Sequence, residues 1–165
     1  MQGMNLQSGA KLARAFYEMG LESASLPAPN KQHLEDGYLE RVIAGTANIA
    51  FACELAMKNV LFSRGATEQE LKTHNLEKLF GMLQGGDRQL IEHLTITNRN
   101  GRCGDDYGHE QFLEDLRISA FAFPDLRYWH EVPDPGKRGK RAQVAFMRGF
   151  GGAVMVWMEL LSAAR

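Results

Sequence analysis

The feature that most constrains this chain is a stripe of apolar and small residues between Tyr38 and Gly65, YLERVIAGTANIAFACELAMKNVLFSRG. Leu39, Val42, Thr46, Ile49, Cys53, Ala56 and Val60 follow one another at steps of three and four, and Ile43, Ala50, Met57 and Leu61 widen the stripe by one position. That spacing matches the helical repeat, so the segment predicts a helix with one face in a core. At 1.5 Å of rise per residue it is a rod of roughly 38 Å, long enough for shorter segments to lie against. Ala44, Gly45, Ala47, Ala50 and Ala52 offer small surfaces where a second helix can come close. Glu54 and Lys58 stand four apart with the acid first, the order that favours a helical ion pair. The expected fold is all-α: an antiparallel bundle of about five helices around this long central one.

The other segments fit that frame. Residues 5–20 predict a first helix, with Leu6, Ala10, Ala13, Phe16 and Tyr17 on one side and Gly20 as its stop. ESASLPAPNKQ then reads as an extended linker, because Pro27 and Pro29 fix their own φ and withhold donors. Thr67 and Glu70 have the spacing of a capping box. KTHNLEKLFGML predicts a helix burying Leu76, Leu79, Phe80 and Leu83, ended by Gly85 and Gly86. A short helix over 87–96, an exposed loop over 97–108 and a helix from His109 to Phe121, burying Phe112, Leu113 and Leu116, come next. FPDLRYWHEVPDPGKRGKR, with Pro124, Pro133 and Pro135, reads as non-helical. The last helix runs from about Arg141 to Ala163, with Val144, Met147, Phe150, Val154, Trp157 or Met158, and Leu161 inward. Its Gly149, Gly151 and Gly152 are expected to let the spine approach. Residues 1–165 are read as one domain with its core over roughly 38–160, preceded by the first helix and linker.

Charge narrows the choice of partner. The net charge of −1 argues against a surface coated for nucleic acid along its whole length. The balance is uneven, since residues 132–165 carry six basic and two acidic side chains, leaving that part +4 and the rest −5. Such asymmetry permits a local anion-binding face, or a solvated basic loop. Cys53 and Cys103 are too few for a disulfide framework. The N-terminus lacks a secretory pattern, and the apolar run from Gly151 to Leu161 is too short to span a bilayer. These features lead to the expectation of a cytoplasmic, soluble protein.

Metal chemistry finds little support. HEVPD at residues 130–134 would need a helix to align ligands, and Pro133 and Pro135 forbid one. Asp105, Asp106, His109 and Glu110 could hold a divalent ion if the loop folded back, but acidic residues beside a helix start more often just favour its dipole and cap, so no metal or cofactor is assigned. Two arginine–histidine pairings are more informative: Arg102 with His109, and Arg127 with His130. A guanidinium can hold a phosphate and stabilise its developing charge. An imidazole can move a proton to or from a ribose hydroxyl near neutral pH. These four are the candidate catalytic residues, with Tyr128, Lys137, Arg138, Lys140 and Arg141 as candidate RNA- or nucleotide-binding residues. A purely structural use competes, with Arg127 paired to Glu131 and Trp129 plugging the core. His74 is expected to pack at a helix start.

The long helix with ACELAMKNVL, then KTHNLEKLF, then an Arg-Tyr pair before the final helix, resembles the HEPN superfamily (higher eukaryotes and prokaryotes nucleotide-binding domains) over roughly residues 38–160. The resemblance implies a bundle of four to five antiparallel helices that often dimerises. Many members are metal-independent ribonucleases of toxin–antitoxin, abortive-infection or other defence systems. Their arginine and histidine, four to six residues apart, lie near the start of the last core helix, and dimerisation joins two such motifs in one cleft. By position Arg127 matches the family arginine, but His130 follows it too closely. Arg102 and His109 have a suitable spacing one helix too early. Members with a plain Arg-Tyr pair bind nucleotides or partner proteins without catalysis. The resemblance therefore implies an RNA- or nucleotide-binding module, a homodimer, with an antitoxin or nucleotidyltransferase as a separately encoded partner. Cleavage of RNA and a structural scaffold for a protein partner stay open as alternatives.

Overall fold

A computed structural model describes residues 6–24, 37–103, 106–128 and 143–163. All regular structure among them is helical: α1 Leu6–Ala24, α2 Tyr38–Ser63, α3 Leu76–Met82, α4 Gly85–Cys103, α5 His109–Ile118, α6 Ala122–Arg127 and α7 Val144–Ala163. The 26-residue α2 is the spine, touching α1, α3, α6 and α7. Its stripe is buried from Thr46 to Leu61, whereas Leu39 at its first turn is 61% exposed. α7 lies against α2 and α4 and presents Phe146, Met147, Phe150, Val154, Trp157 and Met158 to the interior. Phe80, Phe112, Phe146 and Phe150 form an aromatic cluster, with stacked rings 5.3 Å apart at Phe146 and Phe150. By length and composition α7 would suffice to cross a membrane, but about half of its apolar window is buried inside the bundle, as a core helix requires.

Helix α1 runs antiparallel to α2, since Gly9 faces Asn59 while Gly20 faces Gly45. The two backbones meet at that second pair. A Cβ at Gly20 would lie 2.7 Å from the Gly45 carbonyl oxygen, and one at Gly45 would lie 2.7 Å from that of Gly20. In α7, Gly151 has the same use, because a Cβ there would sit 2.7 Å from Ile49 Cγ2. The expected close approach of the spine therefore falls on Gly151, while Gly149 has room for a methyl. Asp87, in the first turn of α4, ties three elements: it accepts from Arg64 after α2 and, at 2.8 Å, from Trp157 Nε1 of α7.

Several boundaries differ from the sequence reading. Gly20 does not stop α1, which continues to Ala24 because the glycine is held against α2. Thr67 and Glu70 form their reciprocal bonds (Thr67 N–H donates at 2.7 Å, Glu70 N–H at 3.3 Å) and the segment goes no further than turns. Asn75 accepts from the Lys78 N–H and caps α3. Gly85 and Gly86 open α4 rather than close α3, and α4 continues through 97–103, so this stretch is helix and not loop. Asn100 explains part of that, since its side chain bonds the N–H and the carbonyl of Tyr107, both at 3.0 Å, and anchors the turn back to α5. Tyr107 is buried there, donating to Asp115 at 2.9 Å. The predicted helix 109–121 breaks at Ser119, and Leu113 is 42% exposed instead of buried. α6 then forms across Pro124, which sits in its first turn, where a missing N–H costs no helical bond.

Candidate functional site

The spine has a second face. Glu40, Ile43, Ala44, Ala47, Asn48 and Phe51 recur at helical spacing beside the buried stripe and form one wall of an open cleft of about 700 Å³. Phe16 of α1 closes one side, and Phe123, Leu126 and Arg127 of α6 close the other. His74, just ahead of the α3 cap, completes the lining. The walls are largely aromatic and aliphatic. Phe51 stacks on Phe123 at 4.5 Å, and Phe16 meets Phe51 edge-on at 4.8 Å.

His74 is held from behind. Glu54 lies one turn beyond Phe51, and its side chain is only 3% exposed, whereas that of His74 is 58% exposed. Both Glu54 oxygens contact His74 Nδ1, at 3.0 and 3.1 Å, and Lys58 Nζ donates to one of them at 2.7 Å. The expected Glu54–Lys58 pair thus forms. A carboxylate only accepts, so Nδ1 carries the proton and Nε2 keeps its lone pair or second proton for a ligand. The buried acid fixes the tautomer and the orientation of an exposed ring. His74 stands at a helix start, as its sequence context suggested, with its ring largely exposed.

Arg127 ends α6. Its guanidinium lies 5.7 Å from the Phe123 ring centroid and 5.4 Å from that of Tyr128, stacking on aromatic faces. Among the described residues no carboxylate pairs with it, so the cation is available to an anion at the cleft. The His74 ring is 6.0 Å from the same Phe123 ring. One aromatic side chain therefore brings together a histidine and an arginine 53 positions apart in the chain.

The sequence-predicted site residues divide. Arg127 and Tyr128 lie at this cleft or beside it. His109 is the first residue of α5 and bonds through Nδ1 to Glu92 of α4 at 2.6 Å, outside the cleft lining. That bond and the charge of Glu92 raise the His109 pKa above the usual histidine value. Arg102 lies within α4 but nothing of its side chain is described, and His130, Lys137, Arg138, Lys140 and Arg141 lie outside the described residues. Trp129 and Glu131 fall outside them as well. Among the described residues no cluster of three metal-ligating side chains occurs. His74 and Asn48 were missed as site residues. The available signal was their placement: Asn48 interrupts an apolar helical face three residues before Phe51, and His74 precedes a helix cap. No family model, curated protein or solved structure matches this chain.

Proposed function

We propose that this chain is a HEPN-like helical domain that binds RNA or nucleotides in the cleft between α1, α2 and α6. The observation that carries the reading is the convergence of His74 and Arg127 on the Phe123 ring, within 6.0 Å, in a cleft whose other walls are apolar apart from Glu40 and Asn48. An apolar cavity with a few converging polar groups is the usual form of a small-ligand site. An unpaired guanidinium recognises phosphate, and aromatic walls accept the face of a base. In the context that the HEPN resemblance implies, the domain would work as a homodimer or with a separately encoded antitoxin or nucleotidyltransferase.

A second reading is metal-independent RNA cleavage, and the Glu54–His74 contact favours it. With Nδ1 protonated toward Glu54, His74 Nε2 would take the proton of a ribose 2′-hydroxyl. The 2′-oxygen would attack the adjacent phosphorus, the bond to the 5′-oxygen would break, and that oxygen would leave with a proton from water. Arg127 would stabilise the charge on the phosphorane. The products are a 2′,3′-cyclic phosphate and a 5′-hydroxyl.

Both readings are tested with end-labelled single-stranded RNA in EDTA, by anisotropy for binding and by gel for cleavage. Arg127→Ala should weaken binding about tenfold, the loss of one charge-assisted contact, with thermal stability unchanged. Intact RNA recovered from the bound state supports the binding module, and cyclic-phosphate ends that vanish in His74→Ala support the nuclease. Absence of binding, or equal affinity in parent, Arg127→Ala and His74→Ala proteins, would remove the cleft from consideration.

A further inference from the structure

Among the described residues the only side-chain amide of the cleft lining, that of Asn48, has no hydrogen-bond partner. The asparagines at 75 and 100 are engaged with backbone groups, and Asn59 is also bonded. Asn48 is half-buried on the spine between Ala47 and Phe51, and its amide makes no hydrogen bond among the described residues. A primary amide presents one acceptor and two donors, and leaving these unmade beside apolar walls is costly unless water or a ligand supplies partners. Asn48 is open to the cleft, so its amide is met by water until a ligand with matching groups replaces that water.

We propose that the cleft selects adenine, with Asn48 as the residue that reads the base. This deepens the binding reading above and rests on it. The base would lie on the wall formed by Ala44, Ala47 and Phe51. Asn48 Oδ1 would accept from the adenine N6 amine while Nδ2 donates to a ring nitrogen. Arg127 would take the phosphate. Adenine offers this donor–acceptor pair on either edge, through N7 or through N1. Guanine offers two acceptors on its N7 edge, which places Oδ1 against O6 and leaves one edge of its two compatible. Pyrimidines carry a smaller ring face, so they bury less apolar area against three phenylalanines. Glu40, the acidic group of the cleft, lies eight residues before Asn48, about 12 Å away along the helix and beyond the reach of the same base edge.

The test is calorimetric titration of the full chain with AMP, GMP, CMP, UMP and inorganic phosphate, in parent, Asn48→Leu and Asn48→Asp proteins. AMP should bind about tenfold tighter than the other nucleotides, the worth of one good two-point amide contact. Asn48→Leu keeps the wall and should bring AMP down to the level of UMP. Asn48→Asp removes the donor and should weaken AMP at least as much. Circular dichroism establishes that each variant is folded. Equal affinity for the four nucleotides, a preference for GMP, or AMP selectivity that survives both substitutions overturns the assignment while leaving the binding reading in place. No binding of any nucleotide by the parent protein overturns both.

Discussion

The two faces of the spine helix make opposite use of their polar residues. On the face that meets α1 and α7, polar groups are satisfied within the fold: Thr46 donates to the Val42 carbonyl at 2.8 Å, and Asn59 is buried and bonded. On the cleft face of the same helix, neither the Asn48 amide nor the Arg127 guanidinium of the same lining has a hydrogen-bond or ion-pair partner among the described residues. Asn48 is half-buried and Arg127 exposed, so solvent in the open cleft reaches both. The core face is built for packing, and the cleft face leaves polar groups open beside apolar walls. Glu54 marks the boundary: it is as buried as the core residues, yet it bonds Lys58 and turns His74 outward.

The sharpest way to break this contrast is to cut into the core face alone. Met57 is fully buried, and Met57→Ala should lower stability by about 2–5 kcal/mol in chemical denaturation, from lost burial and the remaining cavity. Nucleotide affinity of the folded fraction should not change, the reverse of Arg127→Ala. A parallel loss of affinity would show that the two faces are not separable.

A smaller effect is expected at Asp87. Burial tends to raise its pKa, but the bonds from Arg64 and Trp157 and the arginine charge outweigh that and hold it below the usual carboxylate value. A carboxylate with a depressed folded pKa stabilises the fold above its unfolded pKa of about 3.9, and that contribution is lost as pH falls through the folded value. Asp87→Ala also strands the Trp157 N–H, so it should cost about 1–3 kcal/mol at neutral pH. The deficit against the parent should shrink in acid melts. A deficit independent of pH would show that the charge of Asp87 is irrelevant to the join between α4 and α7.

The smallest effect belongs to an exposed pair that serves neither face. The raised pKa of His109 means that its bond to Glu92 stabilises below the unfolded histidine pKa of about 6.5 and fades as pH rises through the folded value. His109→Gln should flatten this slight dependence in thermal melts over that range and leave RNA binding and cleavage untouched. A change in either would return His109 to the candidate site.

What could be read in the sequence followed from local rules. The spine, the Glu54–Lys58 pair, the reciprocal bonds of Thr67 and Glu70, and the inward residues of α7 all depend on spacing within a turn or two. Arg127 could be picked out as a candidate because it stands next to Tyr128 near the final helix. Its meeting with His74 could not, because α6 and the turn before α3 come together through the Phe123 ring, the spine and a backbone bond from the Leu76 N–H to the Ala120 carbonyl, all distant in sequence. The polar run 97–103 reads as loop by composition, although Asn100 uses its side chain to hold the following turn in place. Pro124 suggested a break, and only its position within α6 shows that it starts one. Asn48 was hidden by regularity: in a helix pattern it looks like one polar position among small ones.

The glycine contact between α1 and α2 has a consequence for what the cleft admits. Gly20 stands one turn after Phe16 and Gly45 directly follows Ala44, and both Phe16 and Ala44 line the cleft. With no side chains between them, the two rods are as near as their main chains allow, and Phe16 leans in accordingly. A methyl group at either glycine would act as a shim, prising α1 away and widening the aperture at Phe16. The gauge of the opening is thus governed by two missing carbon atoms, at positions that do not themselves line the cleft.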